Sequence, residues 1–396
     1  MTVDAKQRLD RILGAWLLIV LRPLAQAAGK LMRRDHTRTP RGEIVLIKLL
    51  GGGSLLIALP ALLGLCRRFP DLPLTIVCGS GVAPFAKLLG IFDRIEQVED
   101  DKGITRLVAS TARVLFALVR RRVDTVVDLE VYSQLTTVFS LLTLARNRIG
   151  FYLESTYWRR NVLTHLVFLN RTRGVYHFYA AAARLLGANP ATRSEVRAQL
   201  LERIGGAGPP GEYLAIGAGC SEFGSVRLLP PAEWRAFASA RRGELERLRW
   251  VFLGAAGDRK ASEAVADALR ELFGGGFSCE NRCGELTLAE SLAVLAGAKR
   301  FLGIDSALVH AARALGVRST TFFGPTDPMT RLEPIEGYTE EVYYRPPICS
   351  PCLHVAQTPP CKGQNVCMRL FTQAEVPFTP WCEDVSGTSV LPGEDG

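Results

Sequence analysis

The sequence has no hydrophobic run near its N terminus that is long enough to cross a bilayer. The apolar stretch from Ile12 to Leu21 ends at Arg22-Pro23, whereas a transmembrane helix needs about 20 apolar residues. A convincing secretory signal is also missing, because Asp4 and Asp10 interrupt the basic region that should precede the apolar one. We therefore expect a cytoplasmic protein.

Features of nucleic-acid binding are missing as well. There is no zinc-finger pattern and no basic-aromatic RNA signature. The net charge of +9 is concentrated in residues 1–41, which carry nine Lys and Arg against three Asp. The rest of the chain is only mildly basic, so we expect no nucleic-acid partner.

The basic leader, residues 1–41, predicts an amphipathic helix that lies on a membrane. Its positive charge suits an anionic inner leaflet, and Trp16 suits the bilayer interface. The alternative is a helix that packs on the protein's own surface. Arginines elsewhere carry charge that suits the same anionic surface, namely Arg67, Arg68, Arg120, Arg121 and Arg122.

The length and composition predict two globular domains. A chain of 396 residues exceeds one ordinary core, and 48% hydrophobic against 22% charged residues excludes a disordered protein. Short β-rich runs alternate with amphipathic helices, which is typical of parallel, doubly wound α/β sheets. The stretch 153–175 interrupts this pattern and is predicted to be irregular. The pattern restarts after a Gly- and Pro-rich join.

These patterns predict six segments: a leader (1–41), an N-terminal Rossmann-like domain (42–204), a linker (205–211), a C-terminal Rossmann-like domain (212–345), a Cys-rich segment (346–384) and a disordered tail (385–396). The two domains are expected to face a central cleft lined by the carboxyl ends of their strands, where ligands bind in open α/β sheets.

Four of the ten cysteines are clustered near the C terminus, namely Cys349, Cys352, Cys361 and Cys367. In a reducing cytoplasm such a cluster indicates a metal or a structural role sooner than disulfides. The spacing is similar to that of zinc ligands, with His354 as a substitute ligand, although the second pair is not CxxC. A structural zinc and a metal-free cluster both stay open.

The segment from Phe301 to Pro328 carries the strongest chemical signal. Asp305 and Ser306 follow a strand and open a helix, where they could cap free N–H groups or help to receive a diphosphate. His310 lies four residues after Ser306 on the same helix face. The alternative is that the first two residues only cap the helix and that His310 only packs.

This segment, "GIDSALVHAARALGV" followed by "TTFFGPTDP", resembles the C-terminal signature of glycosyltransferase family 9, the ADP-heptose:lipopolysaccharide heptosyltransferases. Ordered similarities extend over residues 43–370 and include "VVDLE", "RIGFY", "IGAGCSEFGSVRLLPPAEW" and "LGAAGD". The resemblance implies a GT-B fold and an enzyme that moves a sugar from a nucleotide diphosphate with inversion and without a metal. ADP-heptose is a candidate donor, and the acceptor would be lipopolysaccharide or a lipid-linked saccharide.

The resemblance also implies a set of donor-binding residues. Gly219 and Cys220 follow the first strand of the donor domain, where the family meets phosphate. Arg227 takes the place of a family lysine, and a cation there would neutralise the leaving diphosphate. Asp258 matches an acidic residue that binds ribose hydroxyls. Asp305, Ser306 and His310 match the family's Asp-Thr/Ser-Gly-x-x-His, and Ala307 replaces its glycine, which restricts the approach of the backbone. Two alternatives without a role in donor binding stay open: Arg227 as a surface arginine and Asp258 as a helix cap.

The acceptor side departs from the family, because Ser54 stands where the family has an aspartate taken as the catalytic base. A serine cannot act as a general base at neutral pH without a partner. The best substitute is Glu130 at the end of a buried strand, with Asp128 two residues before it. The alternative is that Glu130 caps the helix that follows from Tyr132, or binds the acceptor without taking a proton. Acceptor-binding residues are expected at the first loop, namely Lys48, Gly52, Gly53 and Ser54. The missing aspartate also motivates an alternative function: a non-catalytic member that binds a nucleotide sugar or a partner enzyme at the membrane.

Overall fold

The computed structural model describes residues 3–32, 35–220, 222–274, 276–353 and 359–372. The chain divides into two compact units, Met1–Arg203 and Ile204–Gly396. The predicted linker, residues 205–211, begins just after this division. His354 and the predicted tail lie outside the described residues.

The N-terminal unit contains one parallel sheet. Its strands are β1 (Ile44–Lys48), β2 (Leu74–Gly79), β3 (Arg94–Val98), β4 (Thr125–Asp128), β5 (Asn147–Tyr152) and β6 (His165–Phe168). They lie in the order β3-β2-β1-β4-β5-β6. Every residue of β1 is buried, as expected for a strand covered by helices on both faces. The strand order reverses between β1 and β4, which is where a doubly wound sheet forms its ligand crevice.

The helices that accompany this sheet in the described part of the unit are α1 (Val3–Met32), α2 (Gly53–Arg68), α3 (Ala83–Leu89), α4 (Ile104–Arg121), α5 (Gln134–Leu142), α6 (Val175–Leu185) and α7 (Arg193–Arg203). A 3-10 helix, Glu154–Arg159, follows β5. Helix α2 contains Pro60 and buries one face of leucines and alanines. In the described part of the chain, no helix is both long and apolar enough to span a membrane.

Helix α1 packs on the protein's own surface with one face. Leu18 is buried in a small cluster with Val138, Leu141 and Val162. The alternative stated for the leader, a helix that packs on the protein, is therefore confirmed for this face. The opposite face of α1 is exposed.

The C-terminal unit repeats the architecture of the first. Its strands are β7 (Gly211–Gly217), β8 (Arg249–Phe252), β9 (Cys279–Asn281), β10 (Ala298–Ile304), β11 (Ser319–Phe323) and β12 (Glu340–Tyr344). All pair in parallel in the order β12-β11-β10-β7-β8-β9. The helices are α8 (Pro231–Ala240), α9 (Arg242–Leu245), α10 (Arg259–Phe273), α11 (Leu288–Gly297) and α12 (Ala307–Leu315). The strand order reverses between β7 and β10, and the carboxyl ends of these strands carry the donor-side candidates.

The predicted α/β class with two parallel sheets is confirmed, but three strands were not predicted. Strand β6 lies inside the stretch predicted to be irregular, so that prediction was wrong there. Strands β6, β9 and β12 are all edge strands. An edge strand needs no continuous apolar run, because part of it faces solvent.

Candidate active site

Glu130 lies at the reversal point of the N-terminal sheet, where it contacts the end of β1. Its Oε1 atom accepts hydrogen bonds from the Lys48 ammonium at 2.9 Å and from the backbone amides of Leu49 and Leu50 at 2.8 and 2.9 Å. The Lys48 side chain is 7% exposed and that of Glu130 15%. Burial alone would lower the pKa of Lys48, but the Glu130 carboxylate raises it above its ordinary value. The pair is therefore a shielded ammonium–carboxylate contact.

Asp128 is fully buried behind Glu130 and anchors its backbone. One oxygen of Asp128 accepts from the Glu130 amide at 3.0 Å. The other accepts from the Thr136 hydroxyl and from the Arg159 guanidinium, both at 2.9 Å. Burial raises the pKa of Asp128 to about 6, although Arg159 opposes the shift. This side chain is 0% exposed, so its position favours holding Glu130 in place over contact with a substrate.

Arg159 is a neighbour of Glu130 that the sequence pattern did not predict. It lies at the end of the 3-10 helix, is 0% exposed and donates to the carbonyl oxygens of Glu130 and Phe151 as well as to Asp128. Glu130 is thus held from both sides of its Cα. No local pattern marks Arg159, because its partner Asp128 lies 31 residues away in the chain.

The glycines between β1 and α2 have separate structural reasons. Gly51 has φ +77°, a left-handed conformation that favours glycine. A Cβ on Gly52 would lie 2.2 Å from the ring of Phe85, so a side chain cannot be added there without moving that ring. Gly53 begins α2. Ser54 lies in the first turn of α2, and its amide donates to the Gly51 carbonyl at 2.9 Å.

The position of the Glu130 carboxylate is relevant to the family aspartate that Ser54 replaces. The Glu130 carboxylate binds the amides of Leu49 and Leu50, which directly precede the glycines that lead to Ser54. A carboxylate is therefore present at the loop where the family resemblance expects one, although it comes from the end of β4 and not from the loop itself. The base assignment stays a prediction.

Gly219 and Asp258 are brought together after β7 and β8. A Cβ on Gly219 would lie 2.4 Å from the Asp258 side chain, so only glycine permits this approach. Asp258 accepts a hydrogen bond from the Ala255 amide at 2.9 Å and makes no cap hydrogen bond to α10. Burial raises the pKa of Asp258. Cys220 donates to the Gly224 carbonyl, and burial raises the pKa of its thiol to about 11, so it is a neutral group beside this pair.

Arg227 and Asp305 form an ion pair after β10. The guanidinium lies 3.3 Å from the Asp305 carboxylate, and the two side chains are 18% and 5% exposed. Burial alone would raise the pKa of Asp305, but Arg227, His310 and Arg331 hold it below its ordinary value. The surface-arginine alternative for Arg227 is wrong, since this side chain points inward. Arg331 is a second positive group that sequence reasoning did not single out.

Ser306 precedes α12, yet its hydroxyl does not cap the helix. Its Oγ atom is buried, and among the described residues it has no hydrogen-bond partner. The alternative that Ser306 only caps the helix is therefore wrong. Ala307 is the first residue of α12. Burial lowers the pKa of His310 to about 4, so the imidazole is neutral at pH 7.

The clustered cysteines do not form a metal centre within the described residues. No group of three or more His, Cys, Asp or Glu is arranged there to hold a metal ion. Cys352 and Cys367 are buried, and Cys367 belongs to the hydrophobic core of the C-terminal unit, whereas Cys349 is exposed. Cys361 is half-buried. The described part of the chain therefore contains no arrangement of side chains that could bind the predicted zinc.

Comparisons with known proteins agree with this fold. The sequence model of "Glycosyltransferase family 9 (heptosyltransferase)" matches residues 140–361. A curated relative, lipopolysaccharide heptosyltransferase 1 of Pseudomonas aeruginosa, is 31% identical over 163 residues, which are 38% of this chain and 39% of the relative. The chain thus matches about two fifths of that relative's length.

Solved structures show the same fold. Heptosyltransferase WaaC of E. coli with ADP has a TM-score of 0.59 at 19% identity and is matched over 84% of this chain and 98% of that chain. E. coli ADP-heptose lps heptosyltransferase II has a TM-score of 0.56 at 18% identity, over 76% of this chain and 90% of that chain. A family 9 glycosyl transferase from Veillonella parvula has a TM-score of 0.58 at 17% identity, over 79% and 88%.

The two parallel sheets and these structural neighbours define the GT-B class of glycosyltransferases. Because the family model covers more than half of the chain, the protein belongs to glycosyltransferase family 9 (heptosyltransferase). The expected family and fold class are both confirmed.

Proposed function

We propose that this protein transfers a sugar, with heptose as the first candidate, from a nucleotide diphosphate to lipopolysaccharide or a lipid-linked saccharide. Family membership supports the reaction class, and the curated relative supports the acceptor class. A neighbour solved with ADP supports an adenine nucleotide as the first donor to test. The basic leader supports a location at the cytoplasmic face of the inner membrane.

The observation that carries the proposal is the fixed carboxylate of Glu130 at the end of β1. Its Oε1 atom is held by three donors, which leaves Oε2 to accept a proton. A general base needs a defined orientation as well as basicity. The contacts from Asp128 and Arg159 to the backbone of Glu130 supply that orientation from behind.

The proposed reaction is a single displacement. Glu130 takes the proton of an acceptor hydroxyl while that oxygen forms a bond to the anomeric carbon. The bond from that carbon to the diphosphate oxygen breaks, its electron pair stays with the nucleotide diphosphate, and the configuration inverts.

The donor-side residues suit the leaving group of this reaction. Arg227 supplies positive charge, and the start of α12 supplies backbone N–H groups. Beside them lies the Ser306 hydroxyl, which has no hydrogen-bond partner among the described residues. These groups can stabilise a departing diphosphate, so the proposed step assigns no role to a metal. Asp258 is proposed to accept hydrogen bonds from ribose hydroxyls.

The test is sugar transfer by the purified full chain, with Glu130→Gln as the variant and ADP-heptose as the first donor. Loss of the base should lower the rate by about 10²- to 10⁴-fold with little change in donor affinity. Glu195→Gln is the matched control, because Glu195 forms an exposed ion pair with Arg67, and its rate should stay at the wild-type value.

Two results would contradict parts of this proposal. Full activity in Glu130→Gln would remove the base assignment and leave the transferase in place. A wild-type protein that binds nucleotide sugars but transfers none, across a panel of donors and acceptors, would instead establish the non-catalytic alternative.

A further inference from the structure

Helix α1 has two faces with different surroundings. The face toward α5 is closely packed: a Cβ on Gly14 would lie 2.5 Å from Gln134, and Leu18 is 3% exposed. Near the other end of the contact, Arg22 donates to the carbonyl of Trp158 at 2.8 Å. The helix is therefore held at several points along its length.

Asp10 fixes the orientation of α1 on α5. Its carboxylate accepts from the Ser133 hydroxyl at 2.6 Å and from the amides of Gln134 and Leu135 at 2.9 and 3.0 Å. These amides belong to the first turn of α5 and have no partner within that helix. An anionic group at this end of a helix is also favoured by the helix dipole. The docking is thus specific, and α1 is folded before it meets any partner.

The opposite face of α1 is apolar and exposed. Ile12, Trp16, Ile19 and Leu24 are 61–67% exposed, and their spacing of three to five residues places them on one side of the helix. Val20 is 58% exposed on the same side. We call these five residues the α1 stripe. A row of large apolar side chains this exposed marks an interaction surface.

Charge favours a bilayer over a second copy of the chain as the occupant of the α1 stripe. Residues 1–41 carry nine Lys and Arg against three Asp. Two copies that met through this face would bring two strongly basic segments together, which opposes association. An anionic lipid surface complements the same charge, and an exposed Trp suits the headgroup region.

We propose that the α1 stripe binds an anionic lipid bilayer, with α1 lying in the plane of the interface while its other face stays docked on α5. This inference names a partner surface for the enzyme proposed above and rests on that proposal only for the identity of the acceptor. Helix α5 carries Thr136, which contacts Asp128 behind Glu130. The bilayer therefore binds α1, and α1 packs on the helix that adjoins the candidate base.

The test is flotation of the full chain with vesicles. The protein should float with mixed phosphatidylglycerol–phosphatidylcholine vesicles and much less with pure phosphatidylcholine vesicles. The double variant Trp16→Ser/Ile19→Ser should partition about tenfold more weakly or worse, since both changes remove apolar area from the interface. Ile348→Ser is the matched control, because Ile348 is a fully exposed apolar residue of the C-terminal unit, and its partition should equal that of the wild type.

Folding and function are followed separately in the same samples. The stripe variant should keep the wild-type midpoint of thermal unfolding and full transfer to a water-soluble acceptor, because neither residue faces α5. Equal flotation of the variant and the wild type would overturn the proposal, as would a wild-type protein that binds no vesicle. A concentration-dependent dimer that the stripe variant abolishes, without vesicle binding, would overturn it in favour of a second copy. Vesicle binding without any sugar transfer would sustain this inference and contradict only the proposed function.

Discussion

At the scale of single residues, the buried pair of Asp128 and Arg159 determines how the end of β4 is held. Both side chains are 0% exposed, and Arg159 also donates to the carbonyl oxygen of Glu130. Removing one partner of such a pair leaves the other charge buried without compensation. The free energy lost in this way is larger than the net free energy that the intact pair contributes.

We predict that Arg159→Met lowers the free energy of unfolding of the N-terminal unit by about 3–5 kcal/mol. Urea denaturation measures this loss. The double variant Asp128→Asn/Arg159→Met should recover part of it, because no charge is then left alone. Arg160→Met is the matched control: this neighbouring arginine is exposed, and its loss should change stability by no more than about 0.5 kcal/mol. Equal losses at the two positions would contradict the account.

The strand-end argument predicted Glu130 but could not predict Arg159. Glu130 follows a buried apolar strand, and the carboxyl ends of neighbouring parallel strands meet at one edge, so its contact with the end of β1 follows from sequence pattern. Arg159 reaches Asp128 only through the path of the chain after β5, which no periodicity encodes. Likewise, no sequence pattern predicts that the Ser306 hydroxyl has no hydrogen-bond partner among the described residues.

At the scale of elements, the turn from β1 into α2 is sensitive to an added methyl group. Gly51 needs a positive φ, and Gly52 lies against the ring of Phe85. Because Phe85 is only half-buried, its ring can move outward, which limits the cost.

We predict that Gly52→Ala destabilises the N-terminal unit by about 1–3 kcal/mol through overpacking. The control is Gly81→Ala, since a Cβ at Gly81 would meet nothing within 4 Å; it should be neutral in the same thermal unfolding assay. An unchanged stability of Gly52→Ala would contradict the expected clash between the added methyl group and the ring of Phe85.

The elements also show where sequence pattern is weakest. The central strands β1, β4, β7 and β10 have apolar runs and are predictable. Strand β9, "CEN", is half-buried along its whole length, and β12 begins with two glutamates. Both are edge strands, so pairing with one neighbour determines them more than hydrophobicity does.

At the scale of the whole molecule, each of the two units carries a group with a shifted pKa, and the two groups respond to acid in opposite directions. The folded pKa of His310 is about 4, below its ordinary 6.5, so the unfolded chain binds more protons between these values and stability falls as the pH falls. The folded pKa of Asp128 is about 6, above its ordinary 3.8, so its contribution to stability is complete in acid and is lost as the pH rises through 6.

We predict that the C-terminal unit loses about 2 kcal/mol of stability through His310 between pH 7 and pH 5. The measurement is the difference in unfolding free energy between wild type and His310→Gln at the two pH values. Relative to the variant, the wild type should be less stable at pH 5 than at pH 7, because the variant has no imidazole to protonate. The same difference at both pH values would contradict a depressed pKa.

The ion pair of Arg227 and Asp305 has a consequence for how tightly the proposed diphosphate would be held. In the free protein the guanidinium is already neutralised by its own carboxylate, 3.3 Å away. An arriving anion must compete with that internal counter-ion, so binding exchanges one ion pair for another and does not create a new one. The affinity therefore reflects the difference between two similar interactions, that of Arg227 with Asp305 and that of Arg227 with the ligand. Added salt weakens both interactions, so it should change the affinity less than the charge of the ligand alone suggests.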